Sequence, residues 1–292
     1  MNILITGSTG FIGKHLCEEL KKMHSVFFLV RPHSSHSRLG ANNDFFIFGN
    51  NNILELRKYI QDNNIEGIIH LASLYIQRHN IEDIPNLIQS NLYLGTAILE
   101  AAVNTSVKWF INTGTIWQNY NSPDGEDKYC PVNLYAATKQ AFIDLAKFYT
   151  ETTNIKFCTL KLCDTYGPND TRKKILSLFE DYANSGEVLR MSPGYQKIDL
   201  LHIDDVVAGF VHLINLLNES VELKPEYVLS SCNQMTLREL AEAYESKYNV
   251  KLNIKWGALP YREREVMNPY VGNILPGWFP KYDLRLNPNC RI

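Results

Sequence analysis

The sequence predicts an α/β protein in which a doubly wound parallel sheet is followed by a smaller, discontinuous C-terminal α/β domain. Short apolar runs alternate along the chain with segments whose apolar residues recur at helical spacing. This alternation is typical of parallel strands joined by helices that cover both faces of one sheet. A turn cluster at 164–170 changes the rhythm, and the last third mixes short strands, helices and a proline-spaced tail. We therefore expect one larger domain and a smaller cap made of separated segments.

The individual elements follow from these runs and spacings in chain order. Strands are predicted where a short run is apolar and rich in β-branched or aromatic residues: 2–6, 25–30, 44–48, 66–72, 107–113, 156–163 and 226–230. Helices are predicted where apolar residues share one face: 11–22, 52–63, 84–104, 134–151, 172–185 and 204–218. The C-terminal third adds a helix at 237–248 and a short strand at 252–256. Residues 117–133, rich in Asn, Pro, Asp and Gly, are predicted to form a surface loop.

The first strand runs directly into a turn with three spaced glycines. Gly7, Gly10 and Gly13 lie between the apolar run Ile3–Ile5 and a segment of helical spacing. Glycine permits a tight turn and lets backbone N–H groups approach a pyrophosphate at the positive end of the following helix. The pattern by itself is weak, because glycine turns also occur for steric reasons, but its position between strand and helix is the context that the motif needs. We expect a nucleotide site here.

Bulk properties exclude several classes of partner. The formal net charge is −2 and no basic run contains interleaved aromatic residues, which argues against a nucleic-acid partner. No apolar stretch approaches the length of a membrane span, and the N-terminus has no basic leader, so no membrane partner is expected.

The cysteines indicate neither a metal site nor a disulfide framework. They are scattered, and none forms a CxxC pair or a His/Cys cluster with zinc spacing: Cys17, Cys130, Cys158, Cys163, Cys232 and Cys290. We interpret them as reduced packing residues and expect a cytoplasmic protein without a metal.

A tyrosine and a lysine one helical turn apart form the candidate catalytic pair. Tyr135 and Lys139 share one face of a predicted helix, which follows the strand ending at Thr113. An ammonium group near a phenol favours the phenolate, so Lys139 is expected to lower the pKa of Tyr135 and make it a usable general acid or base. The hydroxyl of Thr113 can orient a substrate oxygen. The spacing alone also fits an exposed surface pair, and the position after the strand favours catalysis.

Motifs along nearly the whole chain resemble those of the extended short-chain dehydrogenase/reductases that act on nucleotide sugars. The residues that carry the resemblance are Thr6–Gly13, Ile69–Ser73, Asn91–Thr96, Tyr135-x-x-x-Lys139, Tyr166–Pro168, His202–Val206 and Gly277–Pro280. The resemblance implies a Rossmann-like NAD(P)-binding domain at 1–165, to which 204–230 returns, and a cap at 166–292 that mainly binds substrate.

The resemblance also implies roles for individual residues. The cofactor would contact the glycine turn, the turn after the fourth strand and the catalytic pair: Gly7, Thr9, Gly10, Phe11, Ile12, Gly13, Leu71, Ala72, Tyr135 and Lys139. Lys139 would bind the nicotinamide ribose, and Asn91 would support a proton path. In this family the helices that match 84–104 and 134–151 pack against their copies, so a homodimer is expected.

Residue chemistry separates the possible reactions within this family. Sugar 4,6-dehydratases carry an Asp-Glu pair directly after the catalytic threonine, whereas this chain has Gly114 and Thr115, which cannot transfer those protons. Bifunctional epimerase–reductases place a cysteine where Thr115 stands and a histidine after Tyr-Gly-Pro, but no histidine lies between Tyr166 and His202. Hydride chemistry at carbon 4 of the sugar remains, as reduction of a ketone or as 4-epimerisation.

The end of the second strand bears on the choice of cofactor. Relatives that prefer NAD carry an aspartate there, whereas this chain continues with Arg31, His33, Ser34, Ser35 and Arg38. A guanidinium with nearby hydroxyls suits a 2′-phosphate, because its fork matches phosphate oxygens in pairs. Arg31 and Ser34 therefore favour NADPH, with NAD as the other possibility and a solvated loop arginine as the structural alternative. A preference for NADPH favours a reductase over an epimerase that retains NAD.

Further segments resemble the abequose-synthase-like branch, whose members reduce CDP- or dTDP-linked 4-keto deoxysugars for surface polysaccharide precursors. The matching segments are Asn112–Trp117, Pro131–Lys139 and Pro260–Met267. Relatives place a diphosphate-binding arginine where Arg262 stands, and Arg264 is a weaker choice. The expected substrate-binding residues are Thr115, Lys173 and Arg262. Ile198 replaces an arginine that relatives often have, and Lys197, Lys173 or Arg172 could supply that charge.

Two polar features favour structural roles. Asp204 and Asp205 are expected to cap the helix 204–218 and not to bind a metal. His70 is expected to pack beside the cofactor turn.

The expected function is therefore NADPH-dependent reduction of the 4-keto group of a nucleotide-linked 6-deoxy or 3,6-dideoxy hexose. Hydride would pass to carbon 4 while Tyr135 protonates the oxygen that Thr113 holds. The enzymatic alternative is a nucleotide-sugar 4-epimerase with tightly bound NAD. A non-catalytic regulator that senses a dinucleotide is the alternative from another class.

Overall fold

A computed structural model describes the protein at residues 1–32, 34, 45–49, 52–120, 128–219 and 221–283. The strands are β1 (Asn2–Thr6), β2 (Ser25–Val30), β3 (Phe45–Ile47), β4 (Gly67–His70), β5 (Trp109–Thr115), β6 (Lys156–Leu162), β7 (Asp164–Tyr166), β8 (Leu189–Arg190), β9 (Lys197–Ile198), β10 (Leu200–His202), β11 (Glu226–Leu229), β12 (Met235–Thr236) and β13 (Ile254–Lys255). The helices are α1 (Phe11–Leu20), α2 (Ile53–Asp62), α3 (Ile84–Ile88), α4 (Leu94–Ala102), α5 (Leu134–Thr152), α6 (Ile175–Ser185), α7 (Ile203–Asn218) and α8 (Leu237–Tyr248).

Seven strands form one parallel sheet, which confirms the predicted fold class. Their order is β11-β6-β5-β4-β1-β2-β3, and every neighbouring pair is parallel. The chain builds outward from β1 to β3 and then returns to the other side of β1 with β4. The strand order therefore reverses between β1 and β4, and the crevice at the carboxyl ends of such strands is where ligands bind in open α/β sheets.

Alternating residues of the strands belong to two separate hydrophobic cores, one on each face of the sheet. Ile3 and Ile5 of β1 pack with α1 and α7, whereas Leu4 between them packs with α2, α4 and α5. All three side chains are fully buried. This period of two, with helices on both faces, explains why the strands read as nearly continuous apolar runs in the sequence.

The smaller C-terminal unit has a core of its own. Helices α6 and α8 pack there with short two-stranded sheets, around the buried side chains Tyr166, Leu176, Phe179, Leu189, Met235, Leu240, Tyr244 and Leu252. Segment 203–229 returns to the large sheet, where β11 pairs with β6. The described tail also returns, since Tyr270, Leu275 and Trp278 join the core beside α7.

One predicted helix differs in kind from the structure. Segment 84–104 is not a continuous α-helix, because a π-helical stretch, Gln89–Tyr93, separates α3 from α4. A π-helical turn accommodates one residue more than an α-turn and often marks a functional site. Apolar periodicity cannot reveal it, since the hydrogen-bond pattern changes while the apolar face continues.

Other boundaries differ from the prediction by two or three residues, and the end of β5 and the start of α6 are examples. Strand β5 continues to Thr115 instead of ending at Thr113, in register with β6 up to Leu162. Helix α6 begins at Ile175 instead of 172. Within the described ranges of the chain, no helix is long and apolar enough to cross a membrane.

Candidate active site

The glycine turn after β1 is shaped by close backbone contacts. Gly7 has a φ of +72°, and a Cβ atom there would lie 2.7 Å from the nitrogen of Ala72. A Cβ atom on Gly13 would lie 2.2 Å from the carbonyl oxygen of Gly7. Both positions therefore require glycine, for the left-handed backbone and for the close approach. The turn presents the amino end of α1, which begins at Phe11, as a site for a phosphate group.

The turn after β4 is joined to the glycine turn by a buried polar pair. The Oγ1 atom of Thr6 lies 2.9 Å from Nδ1 of His70 and accepts a hydrogen bond of 3.1 Å from the backbone nitrogen of Ala72. Burial, together with the charge of Lys139, lowers the pKa of His70 to about 3, so the ring is neutral. This confirms the expectation that His70 packs beside the cofactor turn. It also places Leu71 and Ala72 against Gly7.

The predicted catalytic pair lies in the first two turns of α5. Asn133 caps this helix by accepting a hydrogen bond of 3.0 Å from the backbone nitrogen of Ala136. Lys139 is buried, and its proximity to His70 places it next to the turn after β4. The structure thus brings Tyr135 and Lys139 to the same edge of the sheet as the glycine turn.

The pKa of Tyr135 differs in direction from the sequence-based expectation. Burial raises it above the usual value for a phenol, and a hydrogen bond with the side chain of Ser73 offsets part of that rise. Burial also lowers the pKa of Lys139 to about 8. The expectation that Lys139 depresses the pKa of Tyr135 is therefore wrong for this structure, because removal of the phenol from water is the dominant effect.

The two threonines at the end of β5 play different parts. The Oγ1 atom of Thr113 is buried, and no hydrogen-bond partner for it lies in the described part of the chain. The Oγ1 atom of Thr115, in contrast, accepts a hydrogen bond of 3.3 Å from the nitrogen of Trp117 and caps the short turn Ile116–Gln118. A buried hydroxyl without a partner is costly, so Thr113 is suited to bind a ligand oxygen.

Asn91 is buried and uses its side-chain amide to hold two other segments. Its Oδ1 accepts from the nitrogen of Leu74 at 2.7 Å, and its Nδ2 donates to the oxygen of Leu74 at 3.0 Å and to Oγ1 of Thr138 at 3.0 Å. These bonds join the turn after β4 to helix α5. The role of Asn91 in a proton path stays a prediction.

Sequence reasoning missed two aromatic residues and one serine near Tyr135. The ring of Tyr75 meets that of Tyr135 edge-on at 5.1 Å and that of Trp117 at 5.8 Å. Ser73 is the side chain that offsets part of the rise in the pKa of Tyr135. The available signal was positional, because Ser73 and Tyr75 follow β4 and Trp117 follows β5, at the same sheet edge as Thr113.

The predicted substrate-binding cations occupy different environments. Arg262 pairs with Glu265 at 3.1 Å and remains partly exposed. Its positive charge lowers the pKa of Tyr75, against the larger rise that burial causes. Arg264, in contrast, donates to Sγ of Cys130 at 3.0 Å and lies over the ring of Tyr120. The structure therefore brings Arg262 toward the aromatic group at Tyr135 and attaches Arg264 to the surface loop.

The basic residues before α6 are also distinct. The guanidinium of Arg172 donates two hydrogen bonds to the carboxylate of Asp170, donates one to Thr165, and lies 4.2 Å over the ring of Phe11 in the glycine turn. Lys173 is exposed. Lys197, on β9, is exposed as well. Arg172 thus links the cap to the cofactor turn, an interaction that the sequence did not indicate.

The candidate 2′-phosphate site lies at the end of β2. Arg31 is exposed, and its backbone and that of Ser34 form a turn in which the nitrogen of Ser34 donates to the oxygen of Arg31 at 3.0 Å. The nitrogen of Arg31 donates to Oγ of Ser34 at 3.2 Å. His33, Ser35 and Arg38 lie outside the described residues.

The expected capping role of the aspartate pair is corrected. The side chain of His202 accepts from the nitrogen of Asp204 and caps α7. Asp205 is buried and accepts hydrogen bonds of 2.9 Å from the nitrogens of Lys281 and Tyr282. Its carboxylate therefore binds the backbone at 281–282 instead of capping its own helix. Among the described residues, no group of His, Cys, Asp and Glu could hold a metal ion.

Comparisons with known proteins agree with this fold. The family model described as "NAD dependent epimerase/dehydratase family" matches residues 3–228. CDP-abequose synthase of Salmonella muenchen is 27% identical over 292 residues, which cover 97% of this chain and 94% of that protein. UDP-glucuronate 4-epimerase 4 of Arabidopsis thaliana is 26% identical over 250 residues, which cover 75% of this chain and 55% of that protein.

A solved structure shows the same fold. UDP-glucuronic acid 4-epimerase from Bacillus cereus, in complex with UDP-glucuronic acid and NAD, superposes with a TM-score of 0.81 at 20% identity. The match covers 99% of this chain and 97% of that one. Because the family model spans most of the chain, the protein belongs to the NAD dependent epimerase/dehydratase family, whose members act on nucleotide sugars.

Proposed function

We propose that the protein is an NADPH-dependent reductase of the 4-keto group of a nucleotide-linked 6-deoxy or 3,6-dideoxy hexose. The sugar would be CDP- or dTDP-linked, as a precursor of surface polysaccharide. One observation carries the proposal. The buried hydroxyl of Thr113 lies near the end of β5, and the next helix, α5, bears Tyr135 and Lys139. The residues directly after Thr113 are Gly114 and Thr115, which cannot serve as the acid–base pair of a dehydratase. Similarity to CDP-abequose synthases along the whole chain supports the same class of substrate.

The glycine turn leaves room for the pyrophosphate of a dinucleotide cofactor. Gly7 and Gly13 leave backbone space that a single Cβ atom would fill, at the amino end of α1. This is the geometry that accepts a pyrophosphate. When bound, the dinucleotide supplies the hydride that adds to the ketone carbon.

The protein's part in the reaction is to deliver a proton to the ketone oxygen. A raised pKa keeps Tyr135 protonated at neutral pH, which is the form that a proton donor needs. Thr113 donates a hydrogen bond to the same oxygen and orients it. Lys139, with a pKa of about 8, keeps its positive charge at neutral pH and binds the nicotinamide ribose. Thr115, Lys173 and Arg262 would hold the nucleotide sugar.

The direct test is oxidation of NADPH by the purified protein with a panel of CDP-, dTDP- and GDP-linked 4-keto-6-deoxy sugars. We expect turnover with a CDP- or dTDP-linked sugar and a product hydroxyl at carbon 4. No turnover with any member, although NADPH binds, would support the dinucleotide-sensing regulator and contradict the proposal.

A 4-epimerase is the second candidate, because UDP-glucuronate 4-epimerases resemble this chain in sequence and fold. Such an enzyme would release NAD on denaturation and interconvert two nucleotide sugars with no net use of NADPH. The nucleotide content of the denatured protein therefore separates the two candidates.

Arg31 provides the test of cofactor choice. If its guanidinium binds the 2′-phosphate, Arg31→Ala removes charge-assisted hydrogen bonds that NADH never makes. We expect the KM for NADPH to rise about tenfold or more, with the KM for NADH nearly unchanged. The matched control is Lys58→Ala, which removes an exposed positive charge from α2 of the same domain. If Arg31→Ala raised the KM for NADPH and the KM for NADH equally, Arg31 would not explain a preference for NADPH.

We also propose that the protein is a cytoplasmic homodimer. The outer face of α5 exposes Leu145 and Phe148, and Ile84 and Ile88 of α3 are exposed as well. Apolar side chains in such numbers on two helices are typical of an interface. Phe148→Glu should convert a dimer into a monomer in sedimentation velocity, whereas Lys147→Glu, at the exposed neighbouring position, should not. A wild-type monomer at micromolar concentration would contradict the proposal.

A further inference from the structure

The guanidinium of Arg172 is held in place by the segment that leads from β7 into the cap. Its Nε donates to Oδ1 of Asp170 at 2.7 Å, and its Nη2 donates to Oδ2 of the same carboxylate at 2.6 Å. The same Nη2 donates to the backbone oxygen of Thr165 at 3.1 Å and to its Oγ1 at 3.0 Å. Two-point bonds between a guanidinium and a carboxylate fix the plane of the guanidinium.

The backbone of Arg172 is fixed by the start of α6. Its carbonyl oxygen accepts hydrogen bonds from the nitrogen of Lys174 at 2.9 Å and from Oγ of Ser177 at 3.3 Å. The ammonium of Lys174 also pairs with Asp164 at 2.9 Å, which ties this segment back to β7. Because α6 packs in the core of the smaller C-terminal unit, the cap sets the position of Arg172.

The guanidinium covers the residue with which the glycine turn enters α1. Its Cζ atom lies 4.2 Å from the centroid of the Phe11 ring, which is close enough for attraction between a cation and an aromatic face. Phe11 is the first residue of α1, so its backbone N–H is among those that find no partner inside the helix. Within its own helix the ring also meets that of His15 edge-on at 5.4 Å. The Phe11 ring therefore contacts both the cap and its own helix.

These contacts meet where the pyrophosphate of a dinucleotide would bind. The N–H groups at the amino end of a helix bind a phosphate together only while they remain aligned. Gly7 and Gly13 shape the turn from within the large domain, whereas Arg172 reaches it from the cap.

We propose that Arg172 is a positioning residue for the dinucleotide: held by Asp170 and Thr165, its guanidinium fixes Phe11 and thereby the first N–H groups of α1. The inference rests on one part of the proposed function, the binding of a dinucleotide at the glycine turn. It does not depend on which sugar is reduced. Arg172 acts through Phe11, since the carboxylate of Asp170 offsets its charge.

The first test is equilibrium binding to Arg172→Ala. We expect the Kd of NADPH to rise about tenfold, because loss of alignment at the amino end of α1 weakens the bonds to the pyrophosphate. NADH and ADP-ribose contain the same pyrophosphate, so their Kd should rise by the same factor. The kcat at saturating NADPH should stay close to that of the wild type while the KM rises, because binding and not the chemical step is affected. A rise limited to NADPH would overturn the inference, since it would place the contact at the 2′-phosphate.

The matched control is Arg238→Ala. The guanidinium of Arg238 also lies over aromatic rings of the cap, 4.8 Å from that of Tyr195 and 4.9 Å from that of Trp256. Its Nε donates to the oxygen of Pro193 at 2.7 Å. This variant should bind all three dinucleotides as the wild type does. A loss equal to that of Arg172→Ala would show that general loosening of the cap weakens binding, and the inference would fail.

Asp170→Asn separates positioning from attraction by charge. Asparagine cannot accept two charge-assisted bonds, so the guanidinium is held less firmly and we expect the Kd of NADPH to rise about threefold to fivefold. If Arg172 attracted the pyrophosphate through its charge, removal of the opposing charge at position 170 would strengthen binding. Unchanged or tighter binding would therefore contradict positioning. Because this variant keeps the arginine, it also decides the question if Arg172→Ala does not fold.

A double-mutant cycle tests whether Arg172 acts through Phe11. Phe11→Leu keeps an apolar side chain and removes the aromatic face that the guanidinium covers. We expect each single substitution to raise the Kd of NADPH, and the double variant to bind about as weakly as Arg172→Ala alone, because both changes remove the same contact. Effects that multiply in the double variant would show that the two residues act independently, against the inference.

The same measurements separate this inference from the proposed function. If Gly13→Ala binds dinucleotides as tightly as the wild type, the cofactor does not lie at the glycine turn and the proposed function fails with the inference. If Gly13→Ala loses affinity while Arg172→Ala and Asp170→Asn keep it, only the inference fails.

Discussion

Replacing Tyr135 by phenylalanine is expected to lower kcat by about 10²–10⁴-fold, the usual contribution of a positioned general acid. Phenylalanine keeps the ring that packs against Tyr75 and loses only the hydroxyl that would protonate the ketone oxygen. The dissociation constant of NADPH should change little, because the glycine turn and Lys139 are untouched. Steady-state kinetics and equilibrium binding measure the two quantities separately.

The matched control for this substitution is Tyr149→Phe on the same helix. The hydroxyl of Tyr149 bonds to Glu100 at 3.2 Å and lies two to three turns beyond the catalytic pair, so kcat should be unaffected. If Tyr135→Phe turned over as fast as the wild type, another group would have to be the proton donor, and the mechanism proposed for this site would fail.

The second large effect is expected for Gly13→Ala. The added Cβ atom would lie 2.2 Å from the oxygen of Gly7 and 2.7 Å from Cα of Ser8, and neither backbone atom can move aside without opening the turn. We expect dinucleotide affinity to fall about 100-fold or more, since the backbone donors at the amino end of α1 lose their alignment. Isothermal titration with NADPH and with NADH measures the loss.

Gly186→Ala separates the steric effect from the general cost of replacing a glycine. Gly186 also has a positive φ, +70°, but a Cβ atom there would meet no atom within 4 Å. This variant should lose some stability through backbone strain and should bind the dinucleotide as the wild type does. Unchanged affinity in Gly13→Ala would show that the cofactor does not lie against this turn.

These two predictions also bear on the alternatives for the function. A reductase and an epimerase both need Tyr135, whereas a dinucleotide-sensing regulator needs only the glycine turn. If Gly13→Ala weakens dinucleotide binding but the wild type reduces or epimerises no nucleotide sugar, the protein would therefore be a regulator. The nucleotide content of the wild type then distinguishes the two enzymes.

Much of the fold was predictable because its signals are local. Strand β1 and helix α8 have the predicted bounds, 2–6 and 237–248, since a short apolar run and a period of 3.6 can be recognised without knowledge of the rest of the chain. The interruption at Gln89–Tyr93 was not predictable in this way. Within it lies Asn91, which bonds to Leu74, seventeen residues earlier, and to Thr138 on another helix.

In the candidate site, too, residues with a local sequence signal were predicted, whereas contacts between distant segments were not. Thr113, Tyr135 and Lys139 were identified from spacing and from their positions after strands. Arg172 over the ring of Phe11 was not identified, because the two residues are brought together only when the cap packs on the first domain. The effect of Asp205 on the tail at 281–282 was missed for the same reason.

The amino-acid order alone predicted the parallel sheet, the glycine turn and the candidate catalytic pair, since the pattern that indicates each of them lies within short segments of the chain. Only the tertiary structure decided how acidic the phenol of Tyr135 is. Burial raises the pKa of this phenol and Ser73 offsets part of the rise, and neither the desolvation nor the effect of a residue 62 positions away is encoded in local spacing.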